Sequence, residues 1–246
     1  MNHAASIRGC TVLFSRQVVV CMTMDRFERI LEIISLSAWP LLKSTIMYTI
    51  PLSVFSFVLG LIFAFFVALA SLSTKFYLLK PARLYVWIIR CTPVLVQLFI
   101  VFYGLPNVGI ILSPFVSVVI ALTISEAAYL SEILRAAIES IPSGQWRAGF
   151  ALGMSRLQTL RTVVLPQAVR ICIPSFGNQF IALFKTSSLA ALVTIPDLFG
   201  AARLIASATY EPLLLYMIAG FFYLVLCTFL SFGQSHIEKK YMHIKI

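Results

Sequence analysis

Few side chains in this sequence are equipped for chemistry, so where they fall matters. Glu126, Glu132 and Arg135 are charged, yet they lie in or at the end of a long apolar stretch. Charge is costly in such surroundings and is usually kept for a use. Glu132 and Arg135, three residues apart on a helix, can pair with each other as a structural ion pair. Glu126 has no such neighbour and is the better candidate for contact with a solute. A second set, Ser175, Asn178 or Gln179, Ala182 and Thr186, recurs at helical spacing. Its polar groups could replace the water that a charged solute loses in an apolar passage. Polar residues in apolar surroundings also hydrogen-bond neighbouring helices, and any one of these residues alone is read that way. The stripe as a whole is read as a pathway. Hydrolytic chemistry finds no support: it would need a histidine base beside a nucleophile, and His3, His236 and His243 all lie in terminal regions. Cys10, Cys21, Cys91, Cys172 and Cys227 are scattered without metal-ligand spacing and read as free thiols.

The elements that must position these residues follow from composition. Of 246 residues, 60% are hydrophobic and 11% charged, with a mean hydropathy of +0.96. A soluble domain carries about 25% charged residues. So apolar a chain belongs in a membrane, and soluble enzymes, disordered tails and disulfide scaffolds are excluded. The net charge of +10 is read as the positive bias of cytoplasmic loops, not as a nucleic-acid footprint.

Gaps between charges mark the spans. Residues 44–74 form a 31-residue uncharged stretch, room for one helix of about 20 apolar residues with polar shoulders. The next stretch, Cys91 to Ser125, has 35 residues and is divided by the turn-forming Gly104-Leu105-Pro106-Asn107 into two helices. Pro174, Gly177, Lys185 and Pro196 predict a broken or short fourth helix near 173–193. A separate segment near 197–208 is expected along the membrane surface. A fifth helix covers Pro212 to Phe232, followed by the tail Ser235-His236-Ile237-Glu238-Lys239-Lys240. The count is five spans in an all-α integral membrane protein.

Orientation follows from Lys and Arg. Lys75, Lys80, Arg83 and Arg90 follow the first span; Arg135, Arg147, Arg156, Arg161 and Arg170 separate the third from the fourth; Lys239, Lys240 and Lys245 close the chain. The Gly104 to Pro114 loop has none. The expected topology is N-terminus out, C-terminus in. Arg8 and Arg16 precede no apolar run of signal-peptide length, and Met24-Asp25-Arg26-Phe27 reads like a natural start. Residues 1–23 are therefore an upstream extension or, alternatively, a short surface-bound segment. The expected divisions are 1–40, 41–236 and 237–246.

The most informative segment runs from Ser140 to Ser155. It reads as a short helix closed by Gly153, a residue that tolerates the left-handed C-terminal cap. Ser155 then caps a second helix, with Gln158 completing a capping box, and Leu165-Pro166 starts the return toward the membrane. Trp146, Phe150 and Leu152 need burial, either against the protein's own helix ends or in a groove on a soluble partner.

These residues and their order resemble the membrane-spanning permease subunit of ATP-binding-cassette importers, in the polar amino-acid branch that includes cystine-type permeases. The family's loop pattern is Glu-Ala-Ala, three residues, Gly, nine residues, Ile, one residue, Leu-Pro. It falls here on Arg147-Ala148-Gly149, Gly153, Val163 and Leu165-Pro166. Arg90-Cys91-Thr92-Pro93-Val94-Leu95-Val96-Gln97-Leu98-Phe99, Tyr103-Gly104-Leu105-Pro106, Leu165-Pro166-Gln167-Ala168, Gly177-Asn178-Gln179-Phe180 and Lys185-Thr186-Ser187-Ser188-Leu189 continue the likeness, which covers roughly residues 40–240. Arg147 replaces the loop's acidic residue, Gly149 its second alanine, and Cys91 a usual glycine. Thr186 stands where an aspartate usually follows the lysine.

The resemblance implies a type I importer permease fold with a cytoplasmic coupling helix, here Trp146, Arg147, Ala148, Gly149, Phe150 and Gly153. The implied setting is the bacterial cytoplasmic membrane, with lipid around the chain and no nucleic acid. Implied partners are an ATP-binding-cassette ATPase subunit, a second permease subunit (identical or related) and an extracytoplasmic amino-acid-binding protein. ATP and Mg would be bound by the ATPase, leaving no cofactor and no enzyme activity in this chain, which lacks a Gly-x-x-x-x-Gly-Lys-Ser/Thr loop. Glu126, Asn178, Gln179, Thr186 and Ser187 are the pathway candidates. The alternative is an ion-coupled amino-acid carrier using Glu126.

Overall fold

A computed structural model describes residues 26–242 of the chain, and among them all regular structure is helical. The expectations for residues 1–23, with His3, Cys10 and Cys21, and for His243 and Lys245, lie outside the described residues. Helix α1 (Arg26–Ser44) passes through a π-helical turn, Thr45–Thr49, into α2 (Ile50–Ser71). The widened turn sits just ahead of Pro51, whose missing N–H a regular helix would have needed. Together they make a continuous candidate span of 44 residues, Glu28–Ser71. At 1.5 Å per residue that is about 66 Å, twice the thickness of a bilayer core. The first span thus does not start after Lys43. The exposed Lys43 lies inside the helix, because a lysine can run its stem along apolar surface without ending the backbone ladder. Nor does any helix end mark residue 40 or residue 236; helices run across both.

The most extensive helix pairing joins α2 to α5 (Pro114–Ser140). Its cause is legible on α2: Ser53, Ser56, Gly60, Ala64, Ala68 and Ser71 recur every three or four residues and are all buried. Small side chains let two backbones approach in an apolar solvent, where packing and not hydrophobicity drives association. The two helices run parallel, since Leu52 packs with Val118 and Leu122 while Ala68 packs with Leu134 and Ile138. Phe55 and Phe66 point outward on the opposite face of α2 and are exposed.

Between them the chain turns a corner. Helix α3 (Phe76–Cys91) meets α4 (Val94–Phe99) and its helical continuation to Val108 at 105°. Pro93 forces Thr92 into an extended conformation. Gln97 then ties the corner, its Nε2 donating to the carbonyls of Ile89 and Thr92 and to the Thr92 hydroxyl, at 2.8, 3.1 and 3.1 Å. The basic residues Lys80, Arg83 and Arg90, read as loop residues from the sequence, therefore ride on a helix. The division at Gly104–Asn107 holds: a 3₁₀ turn, Leu105–Val108, ends at Gly109 with φ of 84°.

Past the loop helices α6 (Ser143–Ala151) and α7 (Arg156–Thr159), a π turn at Leu160–Val164 leads into α8 (Leu165–Thr186). This helix starts well before residue 173 and carries Pro174 in its interior without a break. Helix α9 (Leu198–Thr209) follows at 47°. It is not a free surface segment: Leu198 and Ala202 are fully buried, packed with Leu41 and Ala219. Asp197 caps it, accepting from Phe199 and Gly200 N–H groups, and Thr49 accepts from Leu198 N–H. Helix α10 (Pro212–Met242) runs ten residues beyond Phe232, since Gly233 alone, at about 1 kcal/mol, is a weak helix breaker. Among the described residues three helices are long and apolar enough to cross a membrane, and up to five spans result if each of the two bent pairs counts as one.

The α2–α5 contact generates a prediction. A Cβ at Gly60 would meet the Cβ of Glu126 at 2.8 Å, with the Ala127 backbone nitrogen at 3.5 Å. Those atoms cannot swing aside, so Gly60→Ala should cost about 1–3 kcal/mol by overpacking. Thermal unfolding in detergent should show the loss, which Glu126→Gly in the same chain should partly relieve and Glu126→Ala should not. A Gly60→Ala protein that melts like the parent would remove this contact from the account of the fold.

Candidate functional site

Two regions gather the residues singled out in the sequence. The first is the loop of α6 and α7. Helix α6 closes as expected: Gly153 takes φ of 75°, Gly153 N–H donates to the Phe150 carbonyl, and Met154 N–H donates to that of Gly149. This is the double bond pattern of a Schellman cap. At the next helix the Ser155 hydroxyl accepts from Gln158 N–H, and the Gln158 side chain accepts from Ser155 N–H. Gly149 is buried against Thr159, where a Cβ would lie 2.5 Å from Cγ2 and 2.7 Å from Oγ1. Glycine replaces the pattern's alanine because threonine fills its space.

Trp146 does not project. It is half-buried and, like Leu160 and Leu165, packs against the protein's own buried cluster around Leu134, Ile138, Ile141 and Val164, so for this residue the burial is internal. Phe150, Leu152 and Leu157 are exposed at 48%, 78% and 70%, and Leu157 was not anticipated. Arg147 and Ala148 are exposed beside them. Among the described residues Arg147 makes no ion pair; its Nη2 donates to the Ser143 hydroxyl at 3.4 Å. The loop thus offers an apolar patch beside an uncommitted guanidinium.

The second region is an open cavity of about 540 Å³ along α3, α5 and α8, lined by Arg90, Tyr129, Glu132, Arg135, Ser175 and Gln179 together with apolar side chains. Glu132 takes a two-pronged bond from Arg135, at 2.8 and 2.9 Å, and Arg135 also reaches Glu139 at 2.6 Å. Arg90 stands 3.6 Å from Glu132 and 5.5 Å from the centre of the Tyr129 ring. The expected pair is therefore part of a four-member network whose charges balance. Arg83, Trp87 and Arg90 line an adjacent cavity of about 590 Å³. Their spacing of four and three puts them on one helix face; the sequence carried this signal, but the segment read as a loop.

The pathway candidates separate. Glu126 and Gln179 come together, with Gln179 Nε2 donating to both carboxylate oxygens at 3.1 Å. Asn178 turns the other way and accepts from Gln234 of α10 at 3.0 Å. Thr186 donates to the Ala182 carbonyl at 3.0 Å. Ser187 is fully buried and donates to that of Phe184 at 2.8 Å. Of the stripe, Ser175 and Gln179 face the cavity.

Known proteins share this architecture. A family model described as binding-protein-dependent transport system inner membrane component matches residues 56–243. The L-cystine transport system permease protein of Bacillus subtilis (strain 168) is 44% identical over 210 residues, covering 85% of this chain and 90% of its own length. The nopaline transport system permease protein of Agrobacterium fabrum (strain C58 / ATCC 33970) is 36% identical over 212 residues, with 82% and 86% covered. Among solved structures, the crystal structure of an amino acid ABC transporter with histidines superposes at a TM-score of 0.80 with 31% identity, covering 89% of this chain and 99% of that one.

The Gly149–Thr159 fit is testable. Gly149→Ala should destabilise the loop by about 1–3 kcal/mol, read as faster limited proteolysis between residues 143 and 160. Adding Thr159→Ala removes both atoms of closest approach and should restore most of the resistance. Equal cleavage of all three proteins would show that the loop does not rest on this contact.

Proposed function

The chain belongs to the family of binding-protein-dependent transport system inner membrane components, and from that premise we propose that it is the permease subunit of an ATP-driven importer of polar amino acids in the cystine class. The observation that carries this reading is the capped, surface-exposed helix α6 with Phe150, Leu152 and Leu157 beside it, set in a chain 44% identical to a cystine permease. An ATPase subunit is the partner such a patch fits, and ATP and Mg belong to that subunit. A second permease subunit and an extracytoplasmic binding protein complete the proposed complex.

The helices support a mechanical link. Past the Gly153 turn, α7, the π turn and α8 form one helical path from Arg156 to Thr186, about 46 Å at 1.5 Å per residue. The lower end of this lever carries the docking loop, and Ser175 and Gln179, farther along, line the cavity. A displacement of the loop by ATP-driven closure of the partner would move that wall, a rigid-body switch between inward- and outward-facing states. Both signs of charge line the cavity, as a zwitterionic amino acid requires when it loses its water. The ion-coupled alternative is disfavoured, because the relatives are permeases of another transport class and Glu126 is held by Gln179 away from the cavity lining.

Two outcomes are expected. Proteoliposomes holding this subunit with its cognate ATPase should accumulate L-cystine only with binding protein outside and ATP inside, and Arg147→Glu should lower that uptake by weakening assembly. Uptake by this chain alone, without ATP, would overturn the reading. The proposed topology, N-terminus out and C-terminus in, predicts that a cysteine at Ser143 reacts with an impermeant thiol reagent only from the cytoplasmic side and one at Asn107 only from outside. Reaction of both from one side contradicts it.

A further inference from the structure

Glu126 is 5% exposed at the middle of α5, pressed against Gly60. Among the described residues no lysine or arginine pairs with it. A buried carboxylate is costly unless hydrogen-bonded, and here one side-chain amide supplies the bonds: Gln179 Nε2 faces both oxygens. Both bonds run from Gln179 Nε2 to the carboxylate oxygens, so the nitrogen edge of the amide faces Glu126. The carbonyl edge is thereby turned away from Glu126. Gln179 lines the cavity with Arg90, Tyr129, Glu132 and Ser175, while Glu126 does not. Gln179 Oε1 accepts from no donor among the described residues and is not sealed in the interior. A glutamine without such a neighbour can present either edge by rotating its last torsion.

We propose that Glu126 is a positioning residue for transport, holding the Gln179 amide so that its carbonyl oxygen faces the cavity as a fixed acceptor for an N–H donor of the cargo, the ammonium group of an amino acid. The proposal rests on the importer reading and deepens it. Glu126 touches no cargo; it acts through Gln179 across 53 positions of sequence. A fixed acceptor beside the Arg90–Glu132–Arg135 network gives the cavity two separate recognition points.

The test is a double-mutant cycle on the reconstituted importer, with L-cystine as the probe and uptake KM and kcat measured separately. A hydrogen bond to a charged group is among the stronger ones, so Glu126→Gln, which frees the amide to turn, should raise KM by about tenfold, equivalent to about 1.4 kcal/mol. Gln179→Leu should raise it similarly. In the Gln179→Leu background, Glu126→Gln should add nothing, because there is no amide left to orient. The exchanged pair Glu126→Gln with Gln179→Glu again presents an oxygen to the cavity and should recover most of the loss. Equal effects of Glu126→Gln with and without Gln179, or failure of the exchanged pair in a protein that melts like the parent, would overturn the proposal. Absence of uptake by the parent complex would instead count against the importer reading.

Discussion

The contact on which the rest depends is the close parallel packing of α2 on α5. In lipid, apolar surface gains nothing from leaving its surroundings, so helices associate through shape. The small residues from Ser53 to Ser71 supply that shape, and Gly60 brings the backbones together at Glu126. This pairing sets the rotation of α5 about its axis. That rotation decides that Glu126 faces inward to Gln179 while Tyr129, Glu132 and Arg135 face the cavity. Residues of one helix thus reach two different environments because a third helix holds it in one register.

The loop was the most legible part of the molecule. Capping chemistry is local, so Gly153, Ser155 and Gln158 announce their roles at fixed spacing, and the structure bears out each bond. The apolar helices were legible in place but not in extent, and the count of five spans requires each bent pair to be one span. Lys43, Pro174 and the charged tail after Phe232 look like ends of helices in sequence. In the fold Lys43 is exposed along the helix flank, Pro174 has its carbonyl bonded by Gln234 at 3.1 Å, and the tail simply continues α10. Long-range pairing was the least legible. Neighbouring residues on a helix point about 100° apart, so sequence could not choose between Asn178 and Gln179 without knowing where α5 and α10 lie. The choice belongs to tertiary packing.

The corner at Thr92–Pro93 shows how a break inside an apolar region is made tolerable. A proline there frees carbonyls from the helical ladder, and any that were shielded from water without a partner would cost several kcal/mol each. One amide, Gln97 Nε2, covers the two carbonyls and a hydroxyl. The resemblance motif Arg90-Cys91-Thr92-Pro93-Val94-Leu95-Val96-Gln97 is in this sense a single structural device, with the cavity-lining Arg90 carried at its edge.

The seat of Gly149 on Thr159 has a consequence for how such a chain can change over generations. An alanine at 149 meets two atoms of a threonine at 159, whereas a glycine there with a smaller residue at 159 leaves a gap. Each state is comfortable only in the company of the other. Steric fit alone therefore ties the two positions together: a larger residue at 149 needs a smaller one at 159.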